Sequence, residues 1–432
     1  MKIVLVFPNY THLDELSEWW YPSKSKRRGD PTLPPLGLLY LHAVLSKWHD
    51  VTILDNMVEK LSDKALMEKC LSYRPHVVGF GGTMLQWPQA SHVESMLKKR
   101  SPKIITVYGG PNATARPEKH VKHFDFVLQG MAENTFPRLM NALLKGVGLD
   151  DIEGLCWIGH IVEPCLSVDL DAVPWPSRDA VLWKKYRRTA ISLPSPTDSV
   201  ITSRGCPYAC RFCSSKHIWQ RKWMVRCVKD VMEEIQWLRS EMGTRSIHFR
   251  EDNFTVDKQR LRAFCGELSE LGIPWICQSR VNAVDEPTVR MMKDAGCRMV
   301  SCGFESINDS TLTYIQKGQT AVQVRKAIDV FESVGMPYTG AFIIATPNEG
   351  KDEIQNTIRF AQEVSRYPHS KLPSYANRFF GMPVSELYWE VENKGLVEYD
   401  WQNGEMLFPR TESLSSKDVD RVIEDCGAPS RP

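Results

Sequence analysis

The chain has 432 residues, more than one ordinary hydrophobic core organises, so two or three domains are expected. Hydrophobic residues make up 42% and charged residues 25%, and 54 Lys plus Arg stand against 52 Asp plus Glu. That is a folded profile with no global field toward nucleic acid or a membrane surface, and no apolar run reaches the ~20 residues a membrane-spanning helix needs.

The opening segment Met1-Lys2-Ile3-Val4-Leu5-Val6-Phe7-Pro8-Asn9 stops being apolar at Pro8, and no small-residue cleavage site follows. It reads as a first buried strand rather than a signal peptide. The basic segment Lys24-Ser25-Lys26-Arg27-Arg28 reads as a solvated loop. Strands are expected at Ile3–Phe7, Val51–Leu54, Val77–Phe80, Ile104–Tyr108 and Phe126–Leu128. All are nearly continuous in apolar residues, as strands covered on both faces are. Helical patterns such as Gln89–Lys99 and Asn134–Leu144 fall between them. Five strands with helical crossovers imply an α/β, Rossmann-like doubly wound parallel sheet, whose ligands sit beyond the carboxyl ends of the strands. Those ends carry Gly79, Gly81-Gly82-Thr83, Gly109-Gly110-Pro111 and Gly130. Such glycines either admit a bulky ligand to the backbone or only make tight turns. A dinucleotide fingerprint does not fit: Gly79-Phe80-Gly81-Gly82-Thr83-Met84 breaks GxGxxG at Met84 and follows the third strand.

Residues 151–197 read as a proline-rich connector, and Trp175, Trp183 and Tyr186 suggest that it packs on something. A second alternating series runs over 198–380. Strands are expected at Val200–Ser203, Ser246–Phe249, Trp275–Gln278, Met299–Phe304, Tyr338–Ile344 and Tyr375–Phe380. Helices are expected at Val228–Met242, capped by Gly243, and at Asp257–Leu271, Glu286–Ala295, Ala321–Val334 and Lys351–Ser365. Six β/α units suggest a partial (β/α)6 barrel with its chemistry at the carboxyl ends of the strands. The C-terminal segment 381–432 shows helices near Glu386–Lys394 and Ser416–Asp425 and no other strong pattern.

Of twelve Cys, nine are scattered: Cys70, Cys156, Cys165, Cys227, Cys265, Cys277, Cys297, Cys302 and Cys426. With no export signal, a reducing cytoplasm is the expected compartment, where clustered Cys mean metal or catalysis. The cluster is Arg204-Gly205-Cys206-Pro207-Tyr208-Ala209-Cys210-Arg211-Phe212-Cys213. Three thiolates within eight residues can wrap one [4Fe–4S] cluster and leave one iron open. Zinc would need a fourth ligand, with His217 or Cys227 as the remaining choices.

The CxxxCxxC spacing, with Phe212 before the third Cys, resembles the radical S-adenosylmethionine (SAM) superfamily. Phe249-Arg250-Glu251-Asp252-Asn253-Phe254 is similar to the acidic strand end that holds the SAM amino group. Gln278-Ser279-Arg280-Val281 and Gly303-Phe304-Glu305-Ser306 match the next two strand ends. Gly340-Ala341-Phe342-Ile343-Ile344-Ala345-Thr346-Pro347 is similar to the adenine-side motif, with Ala345 where glycine is common. The resemblance implies SAM contacts from Phe212, Glu251, Asp252, Gln278, Arg280, Glu305 and Ile344. Simpler roles stay open: a helix N-terminal cap for Glu251 or Asp252, a structural ion pair for Arg280.

The first domain resembles that of cobalamin-binding radical SAM enzymes at Thr83, at Tyr108-Gly109-Gly110-Pro111-Asn112-Ala113-Thr114 and at Gln129-Gly130-Met131. This implies cobalamin held by Thr83, Gly109, Gly110, Pro111 and Gly130. No DxHxxG segment is present, and His120 and His123 read as surface histidines, so no protein histidine is expected beneath the cobalt. What the resemblance implies is C-methylation of a small-molecule or peptide substrate by a 5′-deoxyadenosyl radical and methylcobalamin. A flavodoxin or ferredoxin would supply electrons, with neither membrane nor nucleic acid as partner. Cyclisation or ring rearrangement without methyl transfer, a vestigial cobalamin domain, and a zinc-stabilised binding module are the alternatives. Trp219, Trp223, Trp389 and Trp401 are candidates to line a pocket or to fill the core.

Overall fold

The computed structural model describes residues 1–10, 33–166, 168–186, 188, 190, 192–373, 376–402 and 405–427. The basic segment Lys24–Arg28 lies outside them, as does Tyr375, the first residue of the last expected barrel strand. The chain divides into two compact units, one built mainly from 1–10 and 33–186 and the other from 188–216 and 220–427.

The first unit is a six-stranded sheet: β1 Lys2–Phe7, β2 Asp50–Asp55, β3 Val77–Gly81, β4 Ile105–Gly109, β5 Phe126–Leu128 and β6 Leu155–Cys156, in the order β2-β1-β3-β4-β5-β6. The first five are parallel, and β6 pairs antiparallel to β5. The expected strands all form, and the order 2-1-3-4-5 is doubly wound with its switch point between β1 and β3. Apolar layers cover both faces: Val4, Val6, Phe80, Trp87 and Tyr108 on one, Ile3, Leu5, Phe136 and Leu139 on the other. The segment read as a connector does not stand apart. β6 extends the sheet, and the Tyr186 hydroxyl donates to Asp55 at 2.7 Å.

The second unit holds β7 Thr197–Val200, the short β8 Ser203–Gly205 and β9 Trp223–Val225, then β10 Ser246–Phe249, β11 Trp275–Arg280, β12 Cys297–Glu305, β13 Tyr338–Ile344 and β14 Asn377–Arg378. β14-β13-β12-β11-β10-β7 form one open parallel sheet, a half-barrel with β7 and β14 as its edges. The expected strand Val200–Ser203 splits in two. Its first part enters the sheet, while β8 leaves to pair antiparallel with β9. The reason is local: the Thr202 and Ser203 hydroxyls both donate to Glu251, which draws the chain out of the parallel ladder.

Helices Val228–Met242 and Lys258–Leu271 bury Val231, Ile235, Leu238, Leu261, Phe264 and Leu268 against the sheet. Gly243 closes the first at φ 63, the left-handed conformation glycine accepts without strain. Beyond the barrel, helix Glu386–Asn393 is followed by the hairpin β15 Val397–Trp401 and β16 Met406–Pro409, which the sequence did not announce. Helix Ser416–Asp425 packs Val419 and Val422 on Ile354 and Ile358. Among the described residues no helix is long and apolar enough to cross a membrane.

Candidate active site

The cysteine loop springs from the β8–β9 ribbon, where Ser203, Arg204 and Gly205 pair with Val225, Met224 and Trp223. Its root is tied down by Arg226, almost wholly buried, which donates to the Ile201 carbonyl at 2.9 Å, to Glu234 at 2.6 Å and to Asp230 at 2.6 Å. Cys206, Cys210 and Cys213 all line one cavity of about 470 Å³ at the carboxyl ends of the strands. Burial raises the Cys206 thiol above its ordinary value and pushes Cys213 up to about 12, with Asp252 adding to both. Metal coordination reverses this, since a bound thiol is held as thiolate. Among the described residues no three His, Cys, Asp or Glu side chains close on one point as ligands of a single ion would. Three cysteines on one loop of such a cavity fit a cubane, whose thiolates sit on separate irons.

The remaining wall comes from β10 to β13: Asp252, Gln278, Ser279, Arg280, Ser301, Gly303, Glu305, Thr339 and Gly340, with Phe212, Ser215 and Lys317. Asp252 accepts from the Ser215 hydroxyl at 2.7 Å. Arg280 lies 3.9 Å over the Tyr208 ring, donates to Cys210 Sγ at 3.2 Å and to the Lys317 carbonyl, and keeps a buried Nε without a protein partner. Glu305 and Lys317 form a buried ion pair of 2.6 Å. Burial alone would lower the Lys317 pKa, but Glu305 and Cys210 together outweigh it and the ammonium is held above its usual range. A register shift between Gly303 and Glu305 turns Glu305 into the cavity at φ 63. Gly303 makes room for the pair: a Cβ there would stand 2.5 Å from Glu305 Oε1 and 2.7 Å from Lys317 Nζ.

Two residues expected at this cavity are elsewhere. Glu251 turns away to Thr202 and Ser203, and burial raises its pKa to about 7. Ile344 is packed in the apolar cluster with Ala345, Ile354 and Ile358. Glu251 and Asp252 both lie past the end of β10, where the Thr202 and Ser203 hydroxyls claim Glu251 and leave Asp252 to face the cavity, a choice that no strand period encodes. Ala345 adopts φ 60, the conformation glycine would take in its place. Lys317 was missed. The signal was available: a lysine before Gly318, in the connection that returns from the β12 end. None of Trp219, Trp223, Trp389 and Trp401 lines the cavity, and Trp401 is fully buried.

In the first unit the loops after β3, β4 and β5 are bound to one another. Thr83 caps the turn Met84–Gln86, donating to Gln86 Oε1 from its hydroxyl at 2.7 Å and from its N–H at 2.8 Å. Pro111 starts the helix Pro111–Ala115. Thr114 donates to the Gly110 carbonyl at 3.1 Å and accepts from Gly130 N at 2.9 Å, so one hydroxyl links the loops after β4 and β5. Gly110, at φ 103, would bring a Cβ to 2.8 Å of the Gly82 carbonyl oxygen, and Gly130, at φ 75, to 2.2 Å of that of Cys165. At these two positions the protein's own backbone demands glycine. His120 is a correction: it is fully buried, with its ring 4.3 Å from Trp87 and 4.9 Å from Tyr108. Burial and the nearby Lys119 and Arg116 push it down to about 3.

A Radical SAM superfamily model matches residues 200–361 and a B12-binding domain model residues 29–140. Over 98% of its length the chain is 33% identical to an uncharacterized methyltransferase of Pyrococcus horikoshii, covering 91% of that protein. The chain belongs to the cobalamin-binding radical SAM enzymes. The enzyme's cofactors are accordingly a [4Fe–4S] cluster, SAM and cobalamin. It is 28% identical to the cytidylyl-2-hydroxyethylphosphonate methyltransferase of Streptomyces wedmorensis, over 84% of this chain and 79% of that one. It is 26% identical to the anaerobic magnesium-protoporphyrin IX monomethyl ester cyclase of Rubrivivax gelatinosus, over 95% and 73%. The fold matches the cobalamin-dependent SAM radical enzyme OxsB with a TM-score of 0.79 at 16% identity, over 99% of this chain and 66% of that one.

Proposed function

We propose that the enzyme methylates an unactivated carbon of a small-molecule or peptide substrate. The observation that carries this is the single cavity into which the Cys206–Cys213 loop and the polar ends of β10 to β13 converge, in a chain that also has a B12-binding domain. When bound, the cluster and SAM supply a hydrogen-abstracting radical, and cobalamin supplies the methyl group.

The chain's own residues bind and orient. Cys206, Cys210 and Cys213 hold the cluster. Asp252, at the mouth, suits the cationic SAM amino group, and Gln278, Arg280 and the Glu305–Lys317 pair offer the donors and acceptors for its carboxylate and ribose. Phe212 flanks the cluster loop. Glu251 and Ile344 act through packing, Glu251 by fixing the root of the loop. In the first unit Thr83, Gly109, Gly110, Pro111 and Gly130 shape the loops after β3, β4 and β5, beyond the carboxyl ends of the strands, where cobalamin would be held. Among the described residues no nucleophile–base pair faces the barrel cavity, and positioning rather than acid–base chemistry is what we assign to the protein. Electrons come from a small one-electron donor such as a flavodoxin or ferredoxin, and a reducing cytoplasm suits the Cys206, Cys210 and Cys213 thiols that hold the cluster.

The test needs no substrate. Reconstituted enzyme, chemically reduced with methyl-labelled SAM, should form S-adenosylhomocysteine only when a corrinoid is added, and 5′-deoxyadenosine as well. 5′-Deoxyadenosine without any corrinoid-dependent S-adenosylhomocysteine would overturn methyl transfer and favour cyclisation or rearrangement.

A further inference from the structure

Arg211 sits inside the cysteine triplet, between Cys210 and Cys213, where a side chain could simply point to water. It is instead four-fifths buried and held on all sides. Its N–H donates to the Ile315 carbonyl at 3.0 Å, and its own carbonyl accepts from Leu387 N at 3.1 Å. Its guanidinium donates to Glu386 at 3.3 Å, to the Tyr314 carbonyl at 3.0 Å and to Glu390, and lies 4.8 Å over the Tyr314 ring. Lys216, three residues past Cys213, is also paired with Glu386. One carboxylate of helix Glu386–Asn393 therefore grips the loop on both sides of its third cysteine.

The grip is itself fixed. Glu390 accepts from the Tyr314 hydroxyl at 2.7 Å and from Lys394 at 2.6 Å, and Lys394 also reaches Glu412 at 2.6 Å. The helix is capped by Ser385 and buries Leu387, Tyr388 and Val391. A fork held by two carboxylates, a carbonyl and a ring has few alternative rotamers, so the loop takes the helix as its reference.

We infer that the C-terminal helix Glu386–Asn393, which lies outside the matched radical SAM segment, is a positioning element for the iron–sulfur cluster, acting through Arg211 and Lys216. It sets how tightly the loop retains the cluster and how the open iron is presented to SAM. The inference rests on the cluster reading above and extends it to Arg211 and the helix carboxylates Glu386 and Glu390, none of which lines the cavity, with Lys216 at its edge.

The test uses the full chain with Glu386→Gln and Glu390→Gln combined, alongside Arg211→Lys and Lys216→Met. After anaerobic reconstitution, three quantities are read: iron and sulfide per chain, the rate of cluster loss to a chelator, and the electron paramagnetic resonance spectrum of the reduced cluster with and without SAM. The double variant should keep the far-ultraviolet dichroism of the parent and take up a cluster. It should lose that cluster severalfold faster and show a weakened or broadened SAM-induced spectral change. Arg211→Lys, which keeps the charge but not the fork, should fall between. If the double variant does not fold, Lys216→Met removes only one arm of the grip and should show the same changes in smaller measure. A parent-like rate and a parent-like SAM response in the folded variants would overturn the inference. A parent protein that takes up no cluster would instead overturn the cluster reading itself.

Discussion

Lys317 Nζ lies 2.6 Å from Glu305 Oε1, with both side chains more than nine-tenths buried at the wall of the barrel cavity. Neither charge has water to fall back on, so each is tolerable only because of the other. Removing one should therefore cost more than removing both. Lys317→Met is expected to destabilise the barrel unit by about 3–5 kcal/mol, and Lys317→Met with Glu305→Gln to recover most of that loss. Denaturant unfolding followed through barrel tryptophans checks this. Both forms should bind SAM more weakly. A double variant as unstable as the single would show that the pair is not what holds this wall.

The link between the loops after β4 and β5 is one hydroxyl. Thr114→Val keeps the volume but strands the Gly130 N–H and breaks the bond to the Gly110 carbonyl. The cost expected is about 1–3 kcal/mol within the first unit, with a clear drop in corrinoid loading while the barrel still takes up its cluster. Thr114→Ser should load normally. Gly110→Leu is a poor probe of the same site, because its side chain would collide with Gly82 whether or not a ligand is present.

Stability of the first unit should be nearly level between about pH 4.3 and about pH 6.5 and lower on either side, because two buried groups act with opposite sign. Burial raises Glu94 to about 7, so the folded state holds a proton that the unfolded chain releases above about pH 4.3. Its contribution is therefore present at low pH and lost as the pH rises through 7. Burial lowers His120 to about 3, so the unfolded chain takes up a proton below about pH 6.5 that the folded state refuses. Stability from His120 is present above that pH and lost below it. Glu94→Gln should remove the fall toward pH 7 and His120→Phe the fall below about pH 4.3, each by no more than about 3 kcal/mol. Hydrogen exchange at Thr106 and Val107 across that range isolates this unit from the barrel.

Replacing any of Cys206, Cys210 or Cys213 with Ala should abolish iron–sulfur absorbance and SAM cleavage together. Because burial holds the Cys206 and Cys213 protons tightly, cluster assembly releases protons and should speed up as the pH rises from about 7 to about 9. An assembly rate flat across that range would mean that loss of the thiol protons does not limit assembly.

The sequence by itself determined the series of strands, the doubly wound sheet, the open parallel barrel and the cysteine triplet. Each of these is local information. Buried parallel strands are continuous apolar runs, helix ends carry Gly243 or a capping side chain, and three thiols within eight residues need no distant partner to be recognised. Only the tertiary structure decided which polar residues face the cavity. Asp252 enters it and Glu251 does not, because the distant Thr202 and Ser203 hydroxyls hold Glu251 at the root of the cysteine loop. Glu305 is turned inward by a bulge that pairing with β13 creates. Lys317 and Arg211 gain their partners across 12 and 175 or more residues of chain. His120, read as a surface residue among lysines, is carried into an aromatic core by the packing of its helix on β4. Period and composition report what each segment buries. Which charge meets which is fixed only when the chain closes on itself, since an ion pair between distant segments leaves no spacing in the sequence to read.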